Sequence, residues 1–144
     1  MEQSDTWFDD RCYDCFKEHI PIITIDGVIF HDYEFLLLKR NNSPMKGEWW
    51  VPGGRMRRGE EFRDTLHRKI FEETGLACSV LRRAGIINQV FPEVHAVTIF
   101  YLLESQSDDV VLNGEHSDYK WFLELPKNSH KYLKYMIDRA RMRY

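Results

Sequence analysis

The sequence has no apolar run long enough to cross a bilayer. Its most hydrophobic stretch, Ile20 to Phe30, is broken by Asp26 and falls well short of the roughly 20 residues that a spanning helix needs. It also lacks an excess of charge of either sign. A formal net charge of -3 argues against bulk binding along a nucleic-acid backbone, which draws on clustered cations. The beginning, Met1-Glu2-Gln3-Ser4-Asp5, carries neither the basic flank nor the apolar core of a secretory signal. The expected setting is therefore the cytoplasm, without a membrane or nucleic-acid partner. Cysteine is scarce: Cys12 and Cys15 form a C-x-x-C with His19 four residues beyond, and Cys78 stands far away. An odd count without a second C-x-x-C favours buried or idle thiols over a zinc site. Internal repeats and low-complexity linkers are absent, so 144 residues with 43% apolar content are read as one domain spanning 1–144.

What is present divides into recognisable segments. Residues 1 to about 19 are polar and aromatic without strict periodicity, a short helical or irregular lead-in to which no chemistry is assigned. From Ile20 the apolar pattern predicts two β-segments, around Ile22 to Phe30 and Phe35 to Leu38, separated by the polar His31-Asp32-Tyr33-Glu34. Asn41-Asn42-Ser43-Pro44 is a turn cluster, and Trp49-Trp50-Val51 leads into Pro52-Gly53-Gly54. A helix follows from about Glu60 to Thr74, with Phe62, Leu66 and Ile70 on one stripe and Gly75 in the stop position. Two further strands are expected around Ser79 to Phe91 and Val94 to Glu104. After a turn-rich stretch come a strand at Tyr119 to Phe122 and a terminal helix over about Ser129 to Arg141. Strands, a helix, more strands and a final helix indicate an α+β sandwich rather than an alternating parallel fold. The basic residues of the terminal helix are read as a solvated face.

The end of the central helix is chemically odd. Glu72 and Glu73 stand together in the last turn, where the helix macrodipole already presents negative charge. Glu73 also extends the Phe62, Leu66, Ile70 stripe, and a carboxylate aimed at a packed side needs a cation or a metal. A plainer reading pairs both acids with Arg68 or Lys69 at helical spacing.

The surrounding residues decide between these. Gly54-x5-Glu60-x7-Arg68-Lys69-Ile70-Phe71-Glu72-Glu73-Thr74-Gly75-Leu76 resembles the Nudix box, G-x5-E-x7-R-E-U-x-E-E-x-G-U with U a bulky apolar residue. Only Lys69 departs, standing where that family has a glutamate. The resemblance implies the Nudix fold, a mixed sheet sandwiched between α-helices, with divalent metal at the box glutamates and a nucleoside diphosphate across it. An ammonium at position 69 neither binds metal nor activates water. The exchange changes local charge by about two units, so one Mg²⁺, or Mn²⁺ in its place, is expected rather than several.

Within that family the chain is similar to the GDP-mannose mannosyl hydrolases. The similar segments are Pro21 to Asp26, Phe35 to Arg40, Gly47 to Arg55 and Glu115 to Trp121. Position by position, this implies Gly53, Glu73 and Glu115 as metal ligands with Glu72 nearby, and His116 as the base for water. An imidazole with its usual pKa of about 6.5 is partly free to accept a proton at neutral pH. Arg40, Arg55 and Arg68 would hold the leaving diphosphate through paired hydrogen bonds. Asp26 would accept from the sugar or ribose. Glu115 replaces that branch's glutamine, and Gln89 stands where it has a sugar-contacting histidine. The plainer alternatives are a surface-loop His116, a strand-ending Arg40 and an Asp26 that turns with Gly27. Trp49, Trp50 and Phe91 are candidates for base stacking, with core packing as the alternative.

Three activities follow. The leading expectation is hydrolysis of an NDP-sugar, GDP-mannose or GDP-glucose, by attack at the anomeric carbon. The second is attack on phosphorus of ADP-ribose, an NDP-sugar or an NTP, releasing NMP, supported by Glu60, Glu72 and Glu73. The third is a nucleotide-binding module without turnover. The resembled branch forms dimers, so a homodimer is also expected.

Overall fold

The computed structural model describes residues 10–142. Helix α1 (Asp10–His19) precedes a hairpin of β1 (Ile22–His31) and β2 (Glu34–Arg40). The turn between them holds Asp32 and Tyr33 at φ of 47° and 70°, the left-handed geometry that a two-residue hairpin loop requires. Short strands β3 (Trp49–Trp50) and β4 (Gly53–Arg55) lead to helix α2 (Phe62–Thr74). Strands β5 (Cys78–Val90), β6 (His95–Ser105) and β7 (His116–Phe122) and helix α3 (Lys131–Arg141) complete the chain. The sheet runs β3-β2-β1-β6-β5, with β4 added to β1 and β7 to β2. β1 and β6 are parallel and the other pairs antiparallel, so the sheet is mixed.

Alternation along the strands builds two apolar layers. Phe35 and Leu37 pack with Val28, Phe100 and α3 residues Leu133, Met136 and Ile137 on one face. Leu36 and Leu38 pack with Ile25, Ile99 and α2 residues Leu66 and Ile70 on the other. The fold is therefore α+β, a mixed sheet between helices. At Gly27 a Cβ would come 2.8 Å from a Leu103 methyl and 2.9 Å from an Ile70 methyl, so its missing side chain lets α2 settle close to β1. Among the described residues no helix is long and apolar enough to cross a membrane.

Several boundaries differ from those read in the sequence. The lead-in is helical over Asp10–His19, and its earlier part lies outside the described residues. Of the thiols read as buried or idle, Cys12 and Cys15 are exposed on α1 and Cys78 is half-buried. α2 starts at Phe62, where the Glu61 N–H donates to the Asp64 carboxylate at 2.9 Å. Phe62 itself is 38% exposed, so the packed stripe begins at Thr65 and Leu66. β7 starts at His116, three residues before the apolar pattern becomes legible.

Candidate active site

β1 and β2 pair only at their turn, Phe30 with Phe35 and His31 with Glu34, and then splay apart. β1 takes β4 as its next partner, while β2 takes β3 and β7. A cleft of about 290 Å³ opens in this region, walled by Asp26, Arg40, Gly53, Lys69, Glu73 and Glu115. Helix α1 contributes Tyr13 and Lys17 to the same wall.

Close backbone approach organises the centre. Gly53 of β4 faces Asp26 of β1 in register, and a Cβ on Gly53 would lie 2.0 Å from Asp26 Oδ1 and 2.5 Å from the Ile25 carbonyl oxygen. Only glycine fits there. The Gly53 N–H donates to Glu73 Oε1 at 2.8 Å, so the last turn of α2 is tied to the loop before it. Glu73 is buried, and burial pushes its carboxyl up to about 8 against the opposing pull of Lys69 and the Gly53 N–H. Asp26 is also buried and pushed up to about 7, with Arg40 and Lys69 acting in the opposite direction. Two carboxyls thus lie in a weakly solvated wall lined with cations.

His116 is buried on β7 rather than on a surface loop, and a register shift at Lys39/Arg40 sets it opposite Arg40. Its Nδ1 is buried without a hydrogen-bond partner, 3.8 Å from Glu73 Oε2. Burial, with Arg40 as the next contribution, holds its pKa down at about 4, so the imidazole is neutral at pH 7. It stands beside Glu73 and is not among the residues that line the cleft. Glu72 and Glu115 are half-exposed, and each lies near the Lys69 ammonium, at 3.4 and 3.9 Å.

The arginines separate by location. Arg68, expected at the diphosphate, is committed elsewhere: its Nε and Nη2 donate to the two Glu60 oxygens at 2.9 and 2.8 Å, and Nη2 also donates to the Arg55 carbonyl at 3.0 Å. That buried fork anchors the loop before α2 and lies off the cleft wall. Arg40 lines the cleft with its Nε held by the Pro44 carbonyl at 2.8 Å. Arg55 lines it with its guanidinium 3.7 Å from the Tyr13 ring centre. Gln89 is buried in the cleft floor and donates to Thr98 Oγ1 at 2.9 Å, while Thr98 and Thr24 share a 2.6 Å hydroxyl contact. Trp50 and Phe91 also line the cleft, whereas Trp49 packs against Phe122. Sequence reasoning missed Tyr13 and Lys17. Their four-residue spacing, one helical turn, was the available signal.

The NUDIX domain family model matches residues 22–131, from β1 to the start of α3. The chain belongs to the Nudix hydrolase family. Low-salt glycan biosynthesis protein Agl8 of Haloferax volcanii is 26% identical over 145 residues, covering 95% of this chain and 93% of Agl8. An ADP-ribose pyrophosphatase of Methanocaldococcus jannaschii is 30% identical over 125 residues, covering 84% and 74% of the two chains. The crystal structure of a MutT protein from Methanosarcina mazei Go1 matches with a TM-score of 0.74 at 28% identity, covering 84% of this chain and 94% of that one. Nudix hydrolases generally use a divalent metal such as Mg²⁺. The donors here suit one: Glu73, Glu115 and Glu72 offer only oxygen, and the buried Glu73 carboxylate calls for a cation.

Proposed function

We propose that this Nudix hydrolase cleaves a nucleoside diphosphate sugar, with GDP-mannose or GDP-glucose as first candidates, to nucleoside diphosphate and free sugar through water attack at the anomeric carbon. The observation that carries this reading is Lys69, whose ammonium lies 3.4 Å from Glu72 where the family motif has an acid. A site with a cation in that position suits a diphosphate that departs intact. Glu60, one of the three acids expected to support attack on phosphorus, is already bound through both oxygens to Arg68, while Glu72 and Glu73 lie beside the Lys69 ammonium. The similarity to Agl8, a protein named for glycan biosynthesis, also supports a sugar nucleotide.

Arg40, Arg55 and Lys69 supply positive charge to the diphosphate along one wall. Mg²⁺, held by Glu73, Glu115 and the Gly53 carbonyl with Glu72 nearby, would add Lewis-acid stabilisation of the leaving group. Gln89 and the paired Thr24 and Thr98 hydroxyls offer polar contacts to a sugar. The water-activating base is assigned to Asp26, which lines the cleft. His116, neutral and 3.8 Å from Glu73 without a hydrogen bond to it, is given no part in activating water.

A second reading, attack on phosphorus of ADP-ribose with release of AMP, is favoured by the 30% identity to an ADP-ribose pyrophosphatase. One experiment separates the two. Incubation with GDP-mannose and Mg²⁺ in ¹⁸O-water is expected to give GDP and labelled mannose. GMP with mannose 1-phosphate, or AMP from ADP-ribose as the only turnover, would establish the second reading instead.

A further inference from the structure

The surroundings of Lys69 show a consequence of exchanging an acid for a base. Its stem lies along the bare backbone of Gly54, so near that a Cβ there would come 2.4 Å from Lys69 Cε and 3.2 Å from Nζ. The ammonium ends 3.4 Å from Glu72 Oε2, 3.9 Å from Glu73 Oε2 and 3.9 Å from Glu115 Oε2. The lysine side chain is only 13% exposed and Glu73 is buried, so that contact is shielded from water, while Glu72 and Glu115 also reach solvent. Among the described residues no three acidic, histidine or cysteine side chains are gathered as a ready metal-ligand set. The carboxylates are grouped around an ammonium instead. Two cations that need the same oxygens repel one another at this range, so the ion and the lysine cannot both be held there at full strength.

We propose that the Lys69 ammonium is a tethered competitor of the divalent ion, which enters by displacing it from Glu72, Glu73 and Glu115. The displaced ammonium then turns into the cleft it already lines, toward the substrate diphosphate. This rests on the metal site assigned under the proposed function. It couples the two ligands: a diphosphate that draws the ammonium away frees carboxylates for the ion, and the ion in turn favours the diphosphate by the same factor.

Mn²⁺ binding to the ligand-free full chain, followed by electron paramagnetic resonance, tests this without turnover. Lys69→Met keeps the stem and removes the charge, and is expected to bind Mn²⁺ at least ~10-fold more tightly than the wild type, while Lys69→Arg stays within about 3-fold of it. Equal affinity of Lys69→Met and wild type, in proteins with matching melting curves, overturns the proposal. If Lys69→Met does not fold, the wild type answers the same question. Mg²⁺ is expected to speed acetylation of Lys69 by acetic anhydride several-fold relative to exposed Lys127, read by peptide mass spectrometry. An unchanged ratio overturns the proposal. The product analysis above is independent of both readouts, so GMP release would refute the proposed reaction and leave the competition intact.

Discussion

At the scale of single residues, two pairs of side chains carry separate predictions. Asp26 lines the cleft and His116 does not, although both lie within the group around Gly53 and Glu73. Asp26→Asn is therefore expected to lower kcat by at least ~10²-fold with KM little changed, and His116→Ala to lower it by less than ~10-fold. The reverse order in steady-state kinetics would return the base to His116. The Glu60–Arg68 fork makes a different prediction. Its hydrogen bonds hold Glu60 down at about 2 from an ordinary value of 4.5, with the Arg68 contact the largest cause. A lowered folded-state pKa stabilises above the unfolded value and loses that contribution as pH falls from 4.5 toward about 2. Glu60→Gln is expected to cost about 2 kcal/mol at pH 7, because it leaves Arg68 with only the more exposed Glu72 carboxylate, 3.6 Å away, as an ionic partner. Urea unfolding at pH 7 and pH 3 should show that gap narrowing, and a constant gap would mean that the fork is not the origin.

At the scale of elements, α2 has two tasks, and its two ends are fixed by different means. Its middle buries Leu66 and Ile70 against β1 and β6, and its end brings Lys69 and Glu73 to the cleft, with Glu72 beside the Lys69 ammonium. The terminus is set by Gly75, whose φ of 69° suits a left-handed cap and whose N–H returns to the Phe71 carbonyl. Ile70→Ala, which opens a cavity one residue from Lys69, is expected to cost about 3 kcal/mol in denaturant unfolding. Helix α1 makes the complementary case, since it packs little yet lines the cleft. Tyr13→Ala removes the ring against which Arg55 rests and is expected to raise KM by about 5-fold or more with a smaller change in kcat. A KM equal to that of the wild type would place α1 outside substrate binding.

At the scale of the whole molecule, the site depends on where two sheet neighbours part. The parallel β1–β6 pair carries the core across both faces, and the β1–β2 hairpin opens beyond its turn to leave the cleft. Because its walls draw on α1, α2, strands β1 to β6 and the chain before β7, a ligand that binds there stabilises the native state as a unit. Mg²⁺ with a nucleoside diphosphate at about 100 times their apparent Kd is expected to add roughly 2.7 kcal/mol, seen as a rise of several degrees in Tm that EDTA reverses. No rise with any nucleoside diphosphate would exclude the cleft as the binding site.

The sequence by itself determined the family, the α+β class and the central strand–loop–helix, because these rest on local information. The box spacing, the helical stripe and the alternation of Phe35 to Leu38 are each written within a few turns of chain. It also singled out Lys69 as the departure that matters. Only the tertiary structure decided that Arg68 is bound to Glu60, that His116 is buried beside Glu73, and that Tyr13 and Lys17 line the cleft. The placing of His116, Tyr13 and Lys17 depends on contacts between segments far apart in sequence, and that of Arg68 on a loop that folds Glu60 back onto the helix, so burial and competing partners, not residue type, fix what each side chain can do. The same motif position that reads as a missing ligand becomes, once folded, an ammonium held among three carboxylates.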